Sequence, residues 1–214
     1  MPRKTKGGKL TSSELEKFVD ASYKPRRDAG NVDDYELDHG LSTKKSKVYH
    51  NPKTGKTVVA HAGTNSARDW MNNPSILIGR YDKTKRYKDI EATQRRANEK
   101  YGQANVETVS HSQSSEAARI MAQRGLTESS VALNPAIGRS HEGVDVVRSS
   151  GDVVSALTPM GEHDTTIKSK RWYDVLGNHS AKVLNGTRHI FGRGMLEEGP
   201  KRYLWIIFYV CPVW

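Results

Sequence analysis

The chain has 214 residues, enough for one hydrophobic core of ordinary size and small for a chain with extra domains, so one domain is the default. Its single cysteine, Cys211, excludes an intrachain disulfide and fits a reducing compartment better than an oxidising one. The net charge of +10, from 34 Lys and Arg against 24 Asp and Glu, draws polyanions of any kind, phospholipid headgroups and nucleic acid included. The basic residues are scattered rather than gathered in one stripe, and no zinc knuckle, helix-turn-helix or RNP-type aromatic motif accompanies them.

In chain order, residues 1–10 read as a basic, disordered arm with no apolar export core behind it. An amphipathic helix is predicted over 12–22. Residues 47–50 and 57–60 are short β-branched runs separated by Asn51-Pro52-Lys53-Thr54-Gly55-Lys56, which predicts an antiparallel hairpin. Further short apolar runs at 106–109, 131–133 and 144–147 alternate with helical patterns at 87–101 and 114–124. Alternation of this kind predicts a mainly parallel central sheet flanked by helices, with the hairpin as an antiparallel start. Residues 11–200 form this one domain, and no internal repeat is present. Residues 201–214 are a separate apolar tail, too short to span a bilayer as a helix, and read as a buried last strand, an interfacial anchor or an extension past the domain end.

Two segments carry chemistry. The strand ending at Ser110-His111-Ser112-Gln113-Ser114 runs directly into a helix, and a sharp strand-to-helix turn exposes a serine hydroxyl beside backbone donors. Ser110 and Ser114 occupy positions that a Gly-x-Ser-x-Gly turn gives to glycine. Ser112 reads either as a nucleophile or as a polar helix-start residue. Upstream, the strand at 57–60 leads into His61-Ala62-Gly63-Thr64. A Gly-Thr turn brings an N–H and a hydroxyl to one point, as a developing oxyanion requires. Thr64 is therefore a candidate oxyanion donor, with the Gln113 N–H, one residue past the nucleophile, as its partner.

The order of these motifs, with Asp69-Trp70 between them, resembles the class 3 lipase family of α/β-hydrolases over most of residues 48–184. The family's Arg-Gly-Thr is Ala62-Gly63-Thr64 here, and of Gly-His-Ser-x-Gly only His111 and Ser112 remain. The resemblance implies a fold, an α/β-hydrolase-like sheet, and a triad of Ser112, Asp152 after the 146–151 strand and turn, and His179, in the chain order Ser, Asp, His. Asp152 is also an ordinary turn residue, and His179 competes with His141, His163 and His189; His61 and His111, which flank the motifs, suit packing or support. The resemblance further places a lid at 78–87, highly charged here. It implies a serine esterase acting on a lipid ester, a phospholipid among the candidates, at an anionic membrane surface and with no cofactor or metal. The alternative is a non-catalytic descendant serving as a basic interaction or structural protein, for instance in a virus particle. With neither signal peptide nor transmembrane helix, the expected setting is intracellular or virion-associated, peripheral to membranes.

Overall fold

The structure, a computed structural model, describes residues 10–64, 74–77, 79–136, 138–152, 154–161, 164–167, 179–180 and 190–191. The basic arm up to residue 9, Asp69, Trp70, His163, His189, Cys211 and the apolar tail lie outside the described residues.

A seven-stranded sheet organises the chain: β2 (Glu36–Leu37), β3 (Ser46–His50), β4 (Thr57–His61), β5 (Val106–Ser112), β6 (Ser129–Pro135), β7 (Asp145–Ser149) and β8 (Asp164–Ile167), in that spatial order. The pairs β2·β3 and β3·β4 are antiparallel, and every later pair is parallel. The predicted hairpin is present, with Ser46 opposite His61 and His50 opposite Thr57. Its turn is held by Asn51, whose Oδ1 accepts from the Lys53 and Thr54 N–H groups, and by Gly55 at φ 72°. A separate two-stranded ladder joins β1 (Leu10–Thr11) to β9 (Ile190–Phe191).

Successive residues of a strand point to opposite faces, and the core divides accordingly. Val58 and Ala60 join Tyr49, Val109, Val131, Leu133 and Val147 on one face, against Leu15, Phe18 and Val19 of α1 (Ser12–Tyr23). Val59, with Val48 and Val106, faces the other way onto Ala97 of α3 (Lys85–Tyr101). Ala118 of α4 (Ser114–Gln123) packs on Ala132, Val144 and Val146 of that same face. A one-turn helix, α2 (Pro74–Leu77), precedes α3.

Helix α1 opens with a reciprocal capping box: the Glu14 N–H donates to Thr11 Oγ1 at 3.2 Å, and the Thr11 N–H donates to Glu14 Oε2 at 2.8 Å. Helix α3 is very polar, yet Tyr87, Ile90, Gln94 and Ala97 recur at three- and four-residue steps and are buried, which is the periodicity of one helical face. The segment read from sequence as a lid is held down from its middle onward. Tyr81 and Tyr87 are buried with Ile90, Ala117 and Met121, and Asp82 pairs with Arg124 at 2.9 Å. Two large buried rings fix it more strongly than its charges suggested. Among the described residues, no helix is long and apolar enough to cross a membrane.

Candidate active site

Strand β5 ends at Ser112, whose backbone takes φ 54°, the left-handed region that an L residue enters only when its surroundings enforce it. The pairing of β5 with β6 slips one residue at this point, between His111 and Ser112. Gln113, with helical angles of φ −57° and ψ −32°, then starts α4. The N-terminal end of a helix carries unpaired N–H groups and a partial positive charge beside the serine.

Ser112 Oγ lies 3.0 Å from His179 Nε2, and His179 Nδ1 lies 2.9 Å from Asp152 Oδ2. A carboxylate only accepts, so the Nδ1–H donates to Asp152 and Nε2 is left to accept the Ser112 hydroxyl proton. The Asp152 side chain is fully buried, and its oxygens also accept from the Val154 N–H at 3.0 Å and the Ser155 N–H at 3.3 Å. These bonds fix the carboxylate's orientation towards the imidazole, whose own side chain is 12% exposed. Arg148 holds the following turn in place by donating to the carbonyls of Ser155, Thr158 and Pro159 and by pairing with Asp164 of β8 at 2.6 Å.

Gly63 stands against the nucleophile. A Cβ built on it would meet the Tyr23 hydroxyl at 2.6 Å, the His111 carbonyl at 2.8 Å and Ser112 Cβ at 2.8 Å, so no side chain fits there. Thr64 follows it, half-buried. The five residues singled out in the sequence thus fall into one group: Ser112, Asp152 and His179 are linked by hydrogen bonds, Gln113 adjoins Ser112, and Thr64 adjoins the glycine that touches it.

Sequence reading missed a chain of bonds behind the group. The Gly63 N–H donates to the Tyr23 hydroxyl at 2.9 Å. Burial pushes the Tyr23 pKa up to about 12, so the phenol keeps its proton and donates to His111 Nδ1 at 2.6 Å. The His111 Nε2–H donates in turn to the His179 carbonyl at 2.7 Å. Burial first, and the neighbouring His179 second, pull the His111 pKa down to about 3, which keeps this imidazole neutral. His61 is likewise structural: its Nδ1 accepts from Ser46 Oγ at 2.7 Å, its Nε2–H donates to Gln94 Oε1 at 3.3 Å, and burial lowers its pKa to about 4. His141 is buried away from solvent with its pKa lowered to about 3, chiefly by burial.

Two substitutions in the motifs have partners of their own. At Ala62, where the resemblance leads one to expect arginine, the Arg86 guanidinium arrives from α3 and donates to the Ala62 carbonyl at 2.6 Å. Ser114 is more than a small residue: its Oγ accepts the His111 N–H at 3.0 Å and its proton serves the carbonyls of His61 at 2.7 Å and His111 at 2.9 Å, which joins β4 to β5 at the elbow.

The sheet with its strained serine turn is α/β-hydrolase-like. No protein-family model matches the chain, and no curated protein matches it. Among solved structures it is similar to a triacylglycerol lipase from Penicillium expansum, with a TM-score of 0.49 and 16% identity over 73% of this chain and 77% of that one. It is also similar to the Lip2 lipase from Yarrowia lipolytica, with a TM-score of 0.49 and 11% identity over 78% of this chain and 90% of that one. Both likenesses describe overall shape; the site rests on its own residues.

Proposed function

We propose that the chain is a serine hydrolase of carboxylic esters, with lipid esters as its substrate class. The observation that carries this reading is the left-handed Ser112 at the strand-to-helix turn, with its hydroxyl 3.0 Å from an imidazole that is itself bonded to a buried carboxylate. Ser112 Oγ attacks the ester carbonyl as His179 Nε2 takes its proton. Asp152 holds the tautomer that leaves Nε2 free to do so and stabilises the imidazolium that forms. The tetrahedral oxyanion is met by the Gln113 N–H at the start of α4 and by Thr64. His179 then gives its proton to the departing alkoxide. Water repeats the sequence on the acyl-enzyme, with the imidazole again as base, and releases the acid and Ser112.

Covalent labelling with a fluorophosphonate, followed by peptide mapping, tests the nucleophile without a choice of substrate. Label on Ser112, together with hydrolysis of a short-chain nitrophenyl ester, supports the reading. Ser112→Ala is expected to abolish both with the fold intact, Asp152→Asn to slow hydrolysis by about ten-thousand-fold, and Thr64→Val by about a hundredfold. A wild-type chain that takes no label and cleaves no ester is a non-catalytic protein using the same fold.

A further inference from the structure

A cleft of about 660 Å³ opens beside the site, lined by Tyr23, Lys24, Pro25, Arg26, Arg27, His39, Lys44, Lys45 and Ala62. Five of these nine are lysine or arginine and none is acidic. The backbone frame beneath it is held by hydrogen bonds, while Lys24, Arg26, Arg27 and Lys44 themselves are exposed. Lys47 is wholly buried, and its ammonium donates to the carbonyls of Ser22, Thr43 and Lys44 at 3.3, 3.0 and 3.3 Å. It thereby clamps the end of α1 to the 43–45 turn and adds a cation behind the cleft. Arg26 is anchored on the His39 carbonyl, and the Arg86 guanidinium lies on the Ala62 carbonyl.

Like charges gathered at this density repel one another, and the cost shows at Lys45. Its pKa is lowered by burial first, and then by Arg86 and Lys44. Among the described residues, the one carboxylate paired with a lining cation is Asp28, 3.5 Å from Arg27, and both side chains are well exposed, so this pair neutralises little. The helix α1 ends here with its partial negative pole, about half a charge. Several full charges outweigh it, and the Ser22 carbonyl is already covered by Lys47.

The cleft borders the reaction site. Tyr23 lines it and also accepts the Gly63 N–H at 2.9 Å, and Ala62 lines it one residue before the glycine that abuts Ser112 Cβ. An ester held at Ser112 that extends past Gly63 and Tyr23 meets Lys44, Lys45 and Arg26. Its volume suits a small ligand. A cluster of lysine and arginine donors matches the several acceptor oxygens of a phosphate.

Resting on the esterase reading, we propose that this cleft is the phosphate subsite of the substrate, which makes the substrate an ester carrying a phosphomonoester or phosphodiester at its polar end, a glycerophospholipid being the class that combines the two groups.

The test uses the full chain. In Ser112→Ala, calorimetric titration with water-soluble dibutyroyl phosphatidic acid is expected to show binding that Lys44→Gln with Lys45→Gln weakens by about tenfold to a hundredfold. Inorganic phosphate is expected to compete for the same cleft but to bind more weakly. In the active chain, the ratio of kcat/KM for dibutyroyl phosphatidic acid to that for tributyrin is expected to fall by a similar factor. An unchanged ratio and unchanged binding in a variant with a wild-type melting curve overturn the proposal. Inorganic phosphate binding as tightly as the lipid analogue overturns its lipid part. Loss of binding to phosphatidylserine vesicles with no change in the soluble ratio overturns it in favour of a membrane-docking face. If the double variant fails to fold, Lys24→Gln with Arg27→Gln on the exposed rim is read in the same way. Should the wild-type chain cleave no ester, the esterase reading fails by itself, and the titration still decides whether the cleft takes phosphate.

Discussion

Gly63 and Ser112 touch: a methyl group on the glycine would lie 2.8 Å from the serine Cβ, closer than real Cβ atoms come. The other two obstacles are the His111 carbonyl at 2.8 Å and the Tyr23 hydroxyl at 2.6 Å, one of them backbone, so local side-chain adjustment cannot relieve the contact. Gly63→Ala is expected to displace either the Thr64 turn or the serine elbow. Hydrolysis should fall by about a hundredfold or more, as a misplacement of about 1 Å at a reacting centre costs, with a loss of stability of about 1–3 kcal/mol from overpacking. An activity assay beside a melting curve checks this, and a fully active Gly63→Ala chain would show that the two loops are not in contact.

The Tyr23 hydroxyl joins the Gly63 backbone N–H to the His111 imidazole, two groups far apart in the sequence. Tyr23→Phe keeps the ring and removes only the hydroxyl, leaving the Gly63 N–H and His111 Nδ1 without this partner. The expected cost is about 1–3 kcal/mol in stability. Because His111 Nε2 also holds the His179 carbonyl at 2.7 Å, kcat is expected to fall while fluorophosphonate labelling of Ser112 slows in parallel. A chain that loses stability yet labels at the wild-type rate would assign the hydroxyl to folding alone.

Ser110 and Ser114 occupy equivalent places around the elbow, but the structure separates them. Ser110 Oγ makes one long bond, to the Val131 carbonyl at 3.3 Å, whereas Ser114 Oγ serves three backbone groups. The sequence alone suggested that glycine would be accepted at both. Ser110→Gly is expected to be nearly neutral, and Ser114→Gly to cost about 1–3 kcal/mol through the unpaired His111 N–H and His61 carbonyl. Chemical denaturation of the two variants makes the comparison.

Stability should depend on pH through buried groups of opposite sign. Glu107 is buried on β5, and its pKa is pushed well above the usual carboxylate range by burial first, against which Lys56 pulls it down, while Asp145 and Glu14 push it further up. A raised folded pKa gives stability that is present at low pH and is lost as pH rises through the folded value. Glu107→Gln is therefore expected to raise the melting temperature at pH 8, by about 2–4 °C for each kcal/mol in a domain of this size, and to make little difference at pH 4. His61 and His111, lowered to about 4 and about 3, work the other way. Their contribution is complete above about pH 6.5 and is lost as pH falls towards those values. Melting curves from pH 3 to 8 on the wild type and on Glu107→Gln separate the two effects.

The local elements were legible in the sequence because each is set by near neighbours. The β-branched run at 57–60, the Asn51 to Lys56 turn and the step from apolar strand to polar helix at Ser112 all act within a few residues, so the hairpin, β5, α4 and their order could be read directly. Ser114 misled for the same reason: its role lies in the His61 carbonyl, 53 positions away. Which of eight histidines stands beside Ser112 was a tertiary matter, since His179 is 67 positions further on and arrives where the chain returns to the ends of the parallel strands. So too were the Tyr23 to His111 bond, spanning 88 positions, and the cationic cleft assembled from α1, the 43–45 turn and the end of β4. Short-range sterics and hydrogen bonding choose strand, turn and helix from the sequence itself, whereas groups this far apart meet only because burial of the sheet's two faces fixes where each strand ends.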